Sequence, residues 1–127
     1  MSPEHPIQQA QRRIHHAEAM MAEAARLEDI AAQLMAVQRH WNAPNRSLEL
    51  MAALEASRSA WQAIQTALAE GALPLPADAQ HNLLILSVYA DSKIAACEAT
   101  PDVDILGSLI ALTRTLAGSL KEWREAA

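Results

Sequence analysis

The hydrophobic and polar positions of this chain follow the period of an amphipathic α-helix. Apolar side chains recur every three or four residues over most of its length. Proline, glycine and asparagine interrupt this pattern at residues 42–45, 71–76 and 100–101. We therefore predict an all-α fold, a helical bundle of four main helices, of which the first is long and forms either one helix or two.

Two of the predicted helices carry a single apolar stripe. In the second segment the stripe consists of Met51, Leu54, Trp61, Ile64 and Leu68, and in the fourth of Ile105, Leu109, Leu112, Leu116 and Leu120. Spacing of this kind places the side chains on one face of a helix, and that face is buried against the rest of a bundle.

The third segment has no polar face over two turns. Residues 79–90 include no Asp, Glu, Lys or Arg and a single histidine, His81. A short strand would give such a run, but the helical period continues on both sides of it and favours a helix, through Ala79, Leu83, Leu86, Ala90, Ile94 and Cys97. A helix that is apolar on most sides must be surrounded by its own bundle or by a partner.

The first segment, from about residue 6 to residue 41, overhangs the others. As one helix it would be about 50 Å long, against about 35 Å for each of the rest. The apolar residues of its N-terminal half are few: Ile7, Ile14, Met20 and Met21. We expect residues 1–21 to be a mobile N-terminal arm that either folds over the partner-binding groove of the bundle or becomes ordered with the partner. The alternative is a plain, slightly kinked helix of the bundle.

Local signals define two of the helix ends. Gly71 is predicted at the C′ position after the second helix, where glycine readily adopts the left-handed conformation. Thr100 is predicted to be the N-cap of the fourth helix, with Pro101 at its first position. Asp102 and Asp104 then place negative charge at the positive end of the helix dipole.

Composition supports this fold and limits the function classes. A chain of 127 residues is sufficient for one domain, spanning 1–127, and three glycines are too few for an all-β fold. The formal net charge of −5 disfavours direct binding to nucleic acid, whose phosphates require an excess of Lys and Arg. Because no secretory signal and no apolar run of about 18 residues is visible, we expect a cytoplasmic protein without a membrane span.

No constellation of polar residues indicates catalysis. His15 and His16 are adjacent and point about 100° apart on a helix, so they cannot share a metal ion. His81 lacks a nearby Lys or Arg, and Cys97 lacks an adjacent base. We expect a protein that is not an enzyme and binds no metal or cofactor. The surplus of apolar surface instead suits a hydrophobic groove for the helix of a partner.

Five short elements occur in order along the last three segments: Leu54-Glu55-Ala56-Ser57-Arg58-Ser59-Ala60-Trp61, Leu68, Leu73-Pro74, Leu83-Leu84-Ile85-Leu86-Ser87 and Leu109-Ile110-Ala111-Leu112-Thr113-Arg114. In order and spacing this set resembles FlaF, a family of small flagellar-biosynthesis proteins of alphaproteobacteria. The chain departs from the family pattern at Ser57 and Thr113, where Asn is usual, and at Tyr89, where Trp is common.

The resemblance implies a cytosolic factor that acts on flagellin. Such a factor promotes the synthesis and export of flagellin by binding one of its amphipathic terminal helices as a secretion chaperone, in functional opposition to the regulator FlbT. Two alternatives stay open. One is a regulator of flagellin mRNA translation that acts through protein partners, and the other is an oligomeric helical scaffold.

Eight residues are expected to bind the partner, in a groove between the third and fourth helices or at its floor: Arg58, Trp61, Leu83, Leu86, Tyr89, Ile110, Leu112 and Leu116. The apolar members of this set could equally be ordinary core residues. Arg58 could instead stabilise the bundle by pairing with carboxylates. The whole expectation requires the third helix to leave apolar surface open to water or to a second chain.

Overall fold

The computed structural model describes residues 6–73 and 75–126, without the side chains of residues 13, 16 and 124–126. Within these ranges the chain forms four helices: α1 (Pro6–Arg39), α2 (Arg46–Ala69), α3 (Ala77–Ala99) and α4 (Val103–Ala126). The prediction of an all-α fold is therefore confirmed. The long first segment is one continuous helix.

The four helices form a ring in which each helix packs against two others. α1 packs against α2 and α4, and α3 packs against the same two helices from the opposite corner. At this interface Gly107 of α4 faces the side chain of Gln38 of α1, and a β-carbon at Gly107 would lie 3.3 Å from Nε2 of Gln38. Among the described residues α3 has neighbours on two flanks, so none of the other three helices covers its outward face.

One continuous core fills the interior of the ring. Its largest fully buried side chains come from all four helices: Trp61, Met20, Leu27, Leu34, Leu54, Ile64, Leu83, Ile94, Leu106, Leu109, Leu116 and Leu120. The stripe predicted for α2 is wrong at Met51, which is exposed, whereas Leu50 is buried. Adjacent residues point about 100° apart, so only one of these two can face the core. Leu50 precedes the buried Leu54 by one full turn.

The C-terminal end of α2 is confirmed at Gly71. Gly71 has a φ of +70°, which side-chain-bearing residues rarely adopt. Its N–H donates to the carbonyl of Leu68 at 3.2 Å, and the N–H of Ala72 donates to the carbonyl of Ala67 at 2.8 Å. These two bonds form a Schellman motif, which satisfies the last carbonyls of the helix.

The prediction for the start of α4 is wrong by two residues. The helix begins at Val103, and the carboxylate of Asp102 accepts the N–H groups of Asp104 at 2.7 Å and Ile105 at 3.2 Å. Thr100 is instead the extended C-cap of α3, and its N–H donates to the carbonyl of Ala96 at 3.0 Å. A carboxylate at the N-cap also carries the charge that the helix dipole favours, so Asp102 is a better cap than a threonine would be.

We expect Asp102→Ala to lower the free energy of unfolding by about 0.5–2 kcal/mol, because two backbone donors lose their acceptor. Thr100→Ala should change this free energy by less than about 0.5 kcal/mol, since its side chain caps nothing. Urea titrations followed by circular dichroism would measure both. A larger loss for Thr100→Ala than for Asp102→Ala would contradict this assignment of the cap.

α1 extends beyond the bundle at its N-terminal end, as its length predicts. Met20 is its first buried residue, and the described side chains before it are exposed except for the half-buried Ala17. We call residues 6–19 the overhang. Residues 1–5 of the predicted mobile arm lie outside the described residues. From residue 6 onward the arm is helical and continuous with the rest of α1.

One segment of α4, Val103–Trp123, is long and apolar enough to cross a membrane by length and composition alone. The helices that form the core of soluble proteins meet the same criterion, so this is weak evidence for a span. In this bundle Leu106, Leu109 and Leu116 of α4 are fully buried against the other helices.

Candidate functional site: an exposed apolar face of α3

The structure does not gather the eight predicted partner-binding residues into a groove. Trp61, Leu83, Ile110 and Leu116 lie in the interior of the bundle. Leu86 and Leu112 are partly buried and pack against the core. The apolar member of the set that lies on the surface is Tyr89. The stripe residues face inward because the bundle is closed around them.

Arg58 connects α2 with α3. Its guanidinium donates to Glu55, one turn earlier, at 3.1 Å and to Glu98 of α3. A second link between the same helices joins Nε2 of Gln65 to Oδ2 of Asp91 at 3.1 Å. Arg58 was expected either to bind the partner or to stabilise the bundle. Its contacts within the chain, which join α2 to α3, are those of a residue that stabilises the bundle.

The outward surface of α3 carries four large apolar side chains that are exposed to water. Their exposed fractions are 48% for Leu84, 43% for Ile85, 67% for Val88 and 58% for Tyr89. Ile85, Val88, Tyr89 and Ser92 line a shallow open depression. We call Leu84, Ile85, Val88, Tyr89 and Ser92 the α3 face. It is the apolar surface open to water that the composition of the third segment indicated.

The α3 face is uncharged. The nearest acidic side chains of α3, Asp91 and Glu98, are turned towards α2, where they bind Gln65 and Arg58. Beyond Ser92 the exposed surface continues with small side chains, those of Ala95, Ala96 and Ala99. From His81 to Ala99 the uncharged strip is about 27 Å long, which is enough to contact a partner helix over several turns.

Sequence reasoning selected Tyr89 but missed Leu84, Ile85 and Val88, although a signal for them was present. Composition alone does not distinguish the residues of the apolar run 83–86, because each of them is apolar enough to be buried. The core phase of α3 is set by Ala79, Leu83, Ala90 and Ile94, which are all buried. Val88 lies about 150° from the middle of that set on a helix with 100° between residues, and exposure follows from this phase.

Two buried hydroxyl groups are bound by carbonyls of their own helices. Oγ of Ser87 donates to the carbonyl of Leu84 at 2.7 Å, and Oγ1 of Thr113 to that of Leu109 at 2.8 Å. Cys97 is a buried free thiol. Among the described residues, no group of three His, Cys, Asp or Glu side chains is placed to bind a metal ion. The α3 face therefore offers a partner apolar contact.

Comparison with known proteins gives one match. The family described as "Flagellar protein FlaF" matches residues 7–120, which include most of α1, all of α2 and α3, and most of α4. No curated protein and no solved structure matches the chain. Because the family match spans nearly the whole chain, this protein belongs to the FlaF family of flagellar proteins.

Proposed function

We propose that this protein binds flagellin in the cytosol as a secretion chaperone and so promotes its synthesis and export. Membership of a flagellar family supports this role. The observation that carries it is the α3 face, where four adjacent large apolar side chains are open to water. Flagellin has amphipathic terminal helices that pair only in the filament, so their apolar faces need covering beforehand.

The size of the α3 face indicates how the flagellin helix binds. Fully burying a large apolar side chain contributes about 1.5–3 kcal/mol, so four that are half-exposed contribute together about 3–6 kcal/mol. This favourable free energy is comparable with the cost of about 4–15 kcal/mol for the translational and rotational freedom that two molecules lose on association. The flagellin helix must therefore make further contacts, and the strip of small residues from Ser92 to Ala99 lies directly in line with the α3 face.

Substitutions on the α3 face test the proposal. We expect Val88→Glu to weaken flagellin binding by about tenfold or more, because a carboxylate would be buried in the apolar contact. Leu48→Glu is the matched control, since Leu48 is an exposed leucine of α2 outside the α3 face. Isothermal titration of purified flagellin would measure both affinities, and circular dichroism would show that both variants are folded.

Two results would overturn the proposal. If wild-type protein fails to bind flagellin, the alternatives gain support, namely regulation of flagellin mRNA translation through protein partners or an oligomeric scaffold. If Val88→Glu and Leu48→Glu bind flagellin as the wild type does, flagellin does not occupy the α3 face.

A further inference from the structure

A second apolar stripe is exposed on the overhang and its junction with the bundle. It consists of Ile7, Ala10, Ile14, Ala17 and Met21, at alternating spacings of three and four residues, which place them on one face of the helix. Ile14 is 60% exposed, and together with Ala17, Met21 and the flanking Glu18 it lines a shallow depression. The stripe is therefore a second candidate for docking against another helix.

The overhang and the α3 face lie at the same end of the bundle. Short connections at residues 40–45 and 70–76 join α1 to α2 and α2 to α3, so successive helices run in opposite directions. α3 consequently begins at the end from which α1 projects. The α3 face starts about two turns into α3, and its residues 84–92 lie about 10–23 Å from the beginning of that helix.

The overhang stripe is similar in length to the uncharged strip of α3, and residues 6–21 differ from α3 in the sign of their formal net charge. From Ile7 to Met21 the overhang stripe is about 21 Å long. An overhang that runs alongside α3 from the beginning of that helix is therefore long enough to reach the α3 face, which starts about 10 Å along it. Residues 6–21 contain two arginines and one glutamate, a formal net charge of +1. α3 contains three acidic residues and one lysine, a formal net charge of −2. Because Glu98 is paired with Arg58 and Asp91 binds Gln65, both on the side of α2, these charges flank the α3 face and lie outside the apolar contact.

A chain cannot place its overhang on its own α3 face without breaking α1. α1 and α3 occupy opposite corners of the ring, and they do not pack against each other. The overhang is continuous with the rest of α1 and extends beyond the bundle. The overhang that covers an α3 face must therefore come from a second copy of the chain.

We propose that, in the absence of flagellin, two copies of this chain associate, with the overhang of each docked along the α3 face of the other. A two-fold axis generates this contact twice, which matters because one helical contact is smaller than the roughly 800 Å² per partner of a typical stable interface. Two of the five stripe positions are alanine, so each contact buries little area and the dimer is weak.

If the proposed function holds, the dimer and flagellin compete for the α3 face. This consequence rests on that function, but the self-association does not. Both experiments below use the full chain without flagellin. A failure of the dimer therefore leaves flagellin binding untouched, and a failure of flagellin binding leaves the dimer untouched.

Sedimentation equilibrium over a range of protein concentrations tests the association. We expect wild-type protein and the Leu48→Glu control to show the same monomer–dimer equilibrium. Ile14→Glu and Val88→Glu should each weaken it by about tenfold or more, since each places a carboxylate in both contacts. Both positions are exposed, so the fold is retained. A monomer at every concentration overturns the proposal, as does a dimer that only one of these two substitutions weakens.

Cross-linking identifies which surfaces meet. Chains with Ile14→Cys are mixed with chains carrying Val88→Cys and a size tag, and a short thiol-reactive cross-linker is added. We expect a covalent heterodimer from the mixture and little product from either variant alone. Cys97 is buried and does not react. Equal yields from the single variants and the mixture would show that the overhang does not meet the α3 face.

Discussion

Trp61→Ala is expected to lower the free energy of unfolding by about 3–5 kcal/mol, the range for removing a large aromatic side chain from a core. Trp61 has no exposed surface and is the largest fully buried side chain of the bundle. A single domain is stable by about 5–15 kcal/mol, so this substitution would remove a large part of that margin. Urea denaturation followed by circular dichroism at 222 nm would measure the loss.

Trp41→Ala is the matched control for this prediction. Trp41 is only partly buried, and its ring lies under the guanidinium of Arg46, with 4.4 Å between Cζ and the ring centroid. An exposed contact of this kind contributes about 0.5–1 kcal/mol. We expect a clearly smaller loss than at Trp61. A loss at Trp41 that equals or exceeds the loss at Trp61 would contradict the position of Trp61 at the centre of the core.

A third variant separates the packing of Trp61 from its polar group. The indole Nε1 of Trp61 is buried and has no hydrogen-bond acceptor among the described residues. Trp61→Phe removes this unpaired donor and leaves a much smaller void than alanine does. We therefore expect Trp61→Phe to lose less stability than Trp61→Ala, and the same denaturation series would show it.

The helices and their breaks could be predicted from the sequence because their signals are local. Prolines, glycines and asparagines separate the segments, and Gly71 ends α2 at the position predicted for it. The cap of α4 could not be predicted so well. Thr100 and Asp102 are both good N-cap residues, and the choice between them depends on where α3 ends, which tertiary packing decides.

The surface of α3 could be predicted in kind but not residue by residue. A segment without charge indicated that apolar surface would remain open, and the α3 face is such a surface. The predicted partner-binding residues come mainly from the amphipathic stripes of three helices. In a closed bundle those stripes form the core, so the stripe members of α2 and α4 other than Met51 are buried or partly buried. Exposed apolar residues are instead the ones that lie out of phase with the stripe.

Two adjacent leucines of α3 give the sharpest test of which side of this helix faces the core. Leu83 has no exposed surface, whereas Leu84 is 48% exposed. Leu83→Ala should lower the free energy of unfolding by about 2–5 kcal/mol, because it leaves a cavity in the core. Leu84→Ala should lower it by about 1 kcal/mol or less, since water already contacts this side chain. Denaturant titration of the two variants, which differ only in position, would measure both losses.

The same pair should show the opposite order in flagellin binding. Folded Leu83→Ala protein keeps every exposed side chain of the α3 face, so we expect its affinity for flagellin to be close to that of the wild type. Leu84→Ala removes part of the apolar contact and should weaken binding severalfold, by about 1 kcal/mol. Because one substitution affects stability and the other affinity, a general loss of folding cannot explain both results. If Leu83→Ala weakens binding more than Leu84→Ala at equal folded concentration, α3 presents a different face to flagellin.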